Sequence, residues 1–183
     1  DPTTHDSAAK YIDATYGKLD ILINNAGVLL ESNNGTPPAQ ASETSLELLR
    51  KTFETNFFNT VAVTQKFVPL LKRSDAGRIV FLSSGLGSFR MHSSRDSAFF
   101  YNKKPAYEIS KTALNGYAVH LAWELKDTPI KVNAAHPGSV VTDMNAAGEI
   151  PVEEGAKTSV ALATLPADGY SGRFVYLGQE LPW

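Results

Sequence analysis

An α/β fold with a largely parallel sheet is what the chain's patterning predicts, and three observations predict it. Short, apolar, β-branched runs recur at 19–23, 78–84, 130–135 and 172–177. Stretches of helical periodicity lie between them. No strand follows another without a helix in between, which is the alternation of a parallel sheet rather than of hairpins. With 183 residues, 43% hydrophobic and 20% charged, the chain reads as one globular domain, 1–183, with a sizeable core.

Each element has its own reason. Residues 7–16 carry helical periodicity, and Gly17 follows where a glycine commonly ends a helix. The run from Leu19 to Ile23 suits a strand buried on both faces. A polar, proline-bearing loop, ESNNGTPPAQ, comes next. Helical periodicity resumes over 46–71, where Pro69 is expected to kink or end it. RIVFLSS, 78–84, is the second buried strand, and 85–104, rich in Gly, Ser and Arg, is expected to be loop. Helix at 106–125, strand at 130–135, helix at 152–163 and strand at 172–177 complete the chain, with no internal repeat.

Composition narrows the function. Without cysteine there are no disulfides, thiol nucleophiles or cysteine-ligated zinc, and no ligand cluster for a metal is legible. A net charge of −2 with dispersed Lys and Arg gives no footprint for nucleic acid. No apolar run approaches the roughly 20 residues of a membrane span, and no leader opens the chain. The expectation is a cytoplasmic protein acting on small molecules.

Parallel sheets bind ligands outside the carboxyl ends of their strands. There stand Asn25, Ala26 and Gly27 after one strand, Ser83 and Ser84 after the next, and His136, Pro137 and Gly138 after the third. YEISK, 107–111, opens the following helix and puts Tyr107 and Lys111 on one face. An ammonium beside a phenol lowers a pKa otherwise near 10, as a proton donor working near neutrality requires. Alone, the pair reads as an ordinary surface pair of a helix.

The companions decide it. NNAG at 24–27, TNFF at 55–58, SS at 83–84, YEISK at 107–111 and NAAHPGSVVTDM at 133–144 occur in one order, and together they resemble the short-chain dehydrogenase/reductase family. The ending EEGA…ALATLP…GRFVYLGQELPW is most similar to its carbonyl-reductase-like branch. The resemblance implies a Rossmann-type, doubly wound sheet and an NAD(P)-dependent oxidoreductase interconverting a carbonyl and an alcohol, with NADP(H) favoured over NAD(H). It also implies roles. Tyr107 is the general acid or base, Lys111 lowers its pKa and holds the nicotinamide ribose, Ser84 hydrogen-bonds the substrate oxygen, and Asn56 supports a water-linked proton path. Asn25, Ala26 and Gly27 lie against the adenine ribose, Pro137, Gly138, Val140 and Thr142 face the nicotinamide end, and Asp1 contacts adenine. His136 is expected to be structural.

The chain also departs from the family. No Gly-x-x-x-Gly-x-Gly turn is present, so the expectation is the C-terminal portion of the fold only, without its first three strands, as an incomplete part of a longer enzyme. The strand at 19–23 then becomes a bare apolar edge. Arg90, Arg95, Phe99, Phe100 and Tyr101, in a long segment before Tyr107, either line the substrate entrance or pack a surface loop. The short stretch between Thr142 and Val152 leaves an open site. Monomer and homo-oligomer stay open, and a catalytically silent binding or regulatory protein is the rival function, with a sugar-nucleotide epimerase as a weaker one.

Overall fold

The computed structural model describes residues 2–31, 40–101 and 103–183. Five strands form one sheet in sequential order: β1 (Ile21–Asn24), β2 (Arg78–Leu82), β3 (Lys131–Ala135), β4 (Phe174–Tyr176) and β5 (Gln179–Glu180). The first four are parallel, and β5 folds back antiparallel on β4. The helices are α1 (Pro2–Tyr16), α2 (Leu46–Phe53), α3 (Asn59–Leu71), α4 (Phe89–Ser93), α5 (Pro105–Glu124) and α6 (Val152–Ala163). Alternation along β2 sorts the core into two layers. Ile79 and Phe81 pack with Leu71, Leu114 and Val132 under α3 and α5, whereas Val80 points the other way onto Ala135, Leu162 and Val175 under α6. Helices therefore cover both faces, as in a doubly wound sheet.

Four expectations need correction. The strand at 19–23 is not buried on both faces: β1 pairs with β2 alone among the described residues, and Ile21 and Ile23 are 43% and 42% exposed. The helical stretch 46–71 is interrupted not at Pro69 but by a π-helical turn, Glu54–Phe58. Pro69 lies in the last turn of α3, which ends two residues later at Leu71, in keeping with a proline that ends the helix. The segment 85–104 is not plain loop. It holds a 3₁₀ turn at Gly85–Gly87, the short α4 and a second 3₁₀ turn at Ala98–Tyr101, with Ser84 and Ser88 capping the first two through their hydroxyls. Finally, the last strand is followed by a hairpin. Leu177 and Gly178, at φ 46° and 81°, make the left-handed turn that two-residue hairpins require, and Thr158 of α6 holds the Leu177 amide at 3.0 Å.

Candidate active site

The carboxyl ends of β1, β2 and β3 open into a cleft of about 780 Å³ lined by Asn25, Gly27, Ser84, Tyr107, Lys111 and His136. Each strand contributes through the residues at its carboxyl end. Asn24 is fixed by a hydrogen bond from its amide to Thr64 Oγ1 of α3 at 3.0 Å, which leaves Asn25 to turn outward. Ser83 and Ser84 point in opposite senses. Ser83 Oγ donates to Asn115 Oδ1 at 2.6 Å inside the core, whereas Ser84 faces the cleft and shares a hydrogen bond with the Tyr107 hydroxyl.

Lys111 is 4% exposed, and its Nζ donates to the Leu82 carbonyl at 2.8 Å. Among the described residues no carboxylate stands against it. Burial alone brings its pKa down from 10.5 to about 8. The Tyr107 hydroxyl moves the other way: burial raises its pKa, and the Ser84 hydrogen bond opposes that. The expected lowering of Tyr107 by Lys111 is thus not what the isolated chain shows. The ammonium lies 5.8 Å from the ring centroid, and both groups are desolvated together.

Asn56 sits behind the cleft rather than in it. The π-helical turn swings it fully into the core, where Oδ1 accepts from Val28 N at 2.7 Å and Nδ2 donates to Val28 O at 2.9 Å and Ser110 Oγ at 3.0 Å. Ser110 Oγ in turn donates to the Tyr107 carbonyl at 2.6 Å. Pro137, Gly138, Val140 and Thr142 line the cleft as expected positions, Ala26 is exposed beside it, and Asp1 lies outside the described residues. Of the aromatic and basic residues before Tyr107, Phe99 reaches the cleft, while Arg90, Arg95, Phe100 and Tyr101 do not line it.

Two features escaped the sequence reading. His136, expected to be structural, lines the cleft. Its Nδ1 accepts from Gly85 N at 3.1 Å and Gly138 N at 3.4 Å, and burial takes its pKa down to about 4, so the ring is neutral with its proton on Nε2. Only its position at the end of β3 signals this. The second is the approach of Gly87 to α5. A Cβ there would stand 2.8 Å from Lys111 Cβ and 3.0 Å from its carbonyl carbon. Gly87→Ala is therefore expected to lower stability by about 1–3 kcal/mol, seen as a reduced denaturant midpoint at unchanged slope. An unshifted midpoint would mean that α5 can yield at this contact. Among the described residues no helix is long and apolar enough to cross a membrane, and no three His, Asp or Glu residues gather to hold a metal.

The family model for short chain dehydrogenases matches residues 1–150. The chain belongs to the short-chain dehydrogenase family. It is an oxidoreductase of that family, and similar members carry specific names. It is 29% identical to a (+)-neomenthol dehydrogenase of Capsicum annuum, over 96% of this chain and 75% of that protein. It is 31% identical to salutaridine reductase of Papaver bracteatum, over 94% and 73%. Among solved structures, the NADPH-bound carbonyl reductase from chicken fatty liver superposes with a TM-score of 0.82 at 25% identity, over 100% of this chain and 74% of that one. In this short-chain dehydrogenase, the cleft at the strand ends is the place where Ser84, Tyr107 and Lys111 meet.

Proposed function

We propose that the chain interconverts a carbonyl compound and its alcohol with NADP(H), using Tyr107 as the proton donor and acceptor. The observation that carries this is the convergence of Ser84, Tyr107 and Lys111 in one cleft at the carboxyl ends of the sheet. The cleft suits a nicotinamide cofactor. A Cβ on Gly27 would come within 3.3 Å of Lys111 Nζ, so glycine there leaves the ammonium open to a hydroxyl-bearing group. Lys111, Asn25 and Gly27 would hold the ribose side, and Pro137, Gly138, Val140 and Thr142 the nicotinamide side. The chemistry such a cofactor supplies when bound is hydride transfer to or from the reacting carbon.

The protein's share is one proton and the stabilisation of one oxygen. Tyr107, kept protonated by burial, donates to the substrate oxygen during reduction. Ser84 holds that oxygen against the phenol. Lys111 offers positive charge behind the tyrosine, and Asn56 acts as a positioning residue, gripping Val28 and, through Ser110, the Tyr107 carbonyl. Phe99, Leu86, Met144 and Val152 line the rest of the cleft, which suits a carbonyl on a hydrocarbon frame. The preference for NADP(H) draws on the neighbours: one carbonyl reductase is described as NADPH-bound and another short chain dehydrogenase as complexed with NADP.

The test is NADPH consumption by the purified protein against a panel of alicyclic and aromatic ketones and aldehydes. Turnover with alcohol as product is expected. No turnover with any of them, at saturating cofactor, overturns the proposal.

A further inference from the structure

The helix that carries Tyr107 begins without a cap of its own. Four amides open a helix unpaired, and the usual remedy is a Ser, Thr, Asp or Asn just before the first turn. Here that position is Lys104, whose side chain makes no cap hydrogen bond, and the next residue, Pro105, has no amide to satisfy. The acceptors are two glutamates, one within α5 and one far from it in sequence. Glu108 Oε1 takes the Lys104 amide at 2.6 Å. Glu31, 75 residues upstream, takes the next two: Ala106 N donates to its Oε1 and Tyr107 N to its Oε2, both at 2.9 Å. Glu31 is only 7% exposed, so both carboxylate oxygens are committed to this contact rather than to water.

The consequence lies in what Glu31 connects. It belongs to the segment that leaves β1 and lines the cleft with Asn25, Gly27 and Leu29. That segment is already tied to the helix once, through Asn56, which grips Val28 and reaches the Tyr107 carbonyl by way of Ser110. Glu31 makes the second tie, on the Tyr107 amide. The peptide groups on both sides of Tyr107 are thus bound to the same cofactor-side segment. Resting on the carbonyl-reduction reading above, we infer that Glu31 is a positioning residue: by bridging the segment after β1 to the first turn of α5, it sets the Tyr107 hydroxyl against Ser84.

A plain helix cap would stabilise α5 without coupling it to that segment, and the two roles separate by experiment. Glu31→Ala is compared with the double variant Glu31→Ala/Lys104→Ser, in which a local serine caps α5 but the bridge stays broken; Lys104→Ser alone is the reference for the double. Thermal midpoint, kcat and KM for NADPH and for the carbonyl substrate are measured for each. The expected result is a fall in kcat of about 10- to 100-fold in Glu31→Ala with KM nearly unchanged, and recovery of the midpoint but not of kcat in the double variant. Recovery of kcat together with the midpoint, a wild-type kcat in Glu31→Ala, or a loss carried by KM would overturn the inference. Amide hydrogen exchange at Ala106 and Tyr107 reads the contact without turnover. Exchange must accelerate at both amides in Glu31→Ala, and unchanged exchange overturns the bridge itself. A wild-type protein that exchanges slowly there but reduces no carbonyl overturns the functional reading instead.

Discussion

Replacing Tyr107 with Phe is expected to leave a folded protein that binds NADPH as the wild type does and reduces carbonyl substrates on the order of a thousandfold more slowly, the scale of a lost general acid. The substitution removes only the hydroxyl. The ring stays in its place beside Lys111, 5.8 Å from the ammonium, and the backbone ties of residue 107 to Glu31 and Ser110 do not depend on it. What goes is the hydroxyl that bonds Ser84 and that burial keeps protonated. The loss should fall on kcat, with KM for both substrates within a few-fold of wild type. A kcat within about tenfold of wild type would mean that another group supplies the proton. Neutral His136, with its proton on Nε2, would be the first to examine.

Lys111 gives the second large effect, and it pulls stability and activity apart. Its ammonium is buried without a carboxylate among the described residues, and its pKa falls from 10.5 to about 8. The unfolded chain keeps this proton to higher pH than the native one. Between about 8 and 10.5 the unfolded state therefore binds more protons, and stability rises with pH across that window; below about 8 the native state bears the whole cost of the buried charge. At about 1.4 kcal/mol per pH unit that cost is on the order of 3 kcal/mol. Lys111→Met is expected to remove it while leaving the Leu82 carbonyl without its partner, at a loss of about 1 kcal/mol. The net gain at pH 7 is on the order of 2 kcal/mol by urea unfolding, and it shrinks as pH rises from 8 towards 10.5. The same variant should lose carbonyl turnover. In the wild type, reduction should be level below about pH 8 and decline above it as Lys111 loses its charge. A destabilised Lys111→Met at pH 7 would contradict the cost assigned to the buried ammonium.

Much of this was legible in the residues because short motifs fix the ends of strands, and strand ends make the site. NNAG, the serine pair and the HPG turn stop three parallel strands at one level, so their order along the chain suffices to gather them. The spacing of Tyr107 and Lys111 was readable for the same reason, since four residues of helix leave little freedom. The directions of the pKa shifts were not readable. They depend on how deeply both groups are buried, which no spacing encodes. The π-helical turn at Glu54–Phe58 was equally hidden, because the partners that Asn56 meets there, Val28 and Ser110, are far away in sequence. The long-range cap by Glu31 has the same character. A glutamate in a polar loop signals nothing until the fold brings the start of α5 against it. The exposed Leu177–Gly178 hairpin was missed for a different reason: leucine rarely takes the left-handed conformation, so its turn carries no residue that announces it.

The most direct test of the central assignment is titration of the purified protein with NADPH, and separately with NADH, followed by nicotinamide fluorescence. Saturable binding at one equivalent, tighter for NADPH and weakened by Lys111→Met, is the expected result. A flat titration with a folded sample would contradict the reading of this cleft as a nicotinamide site.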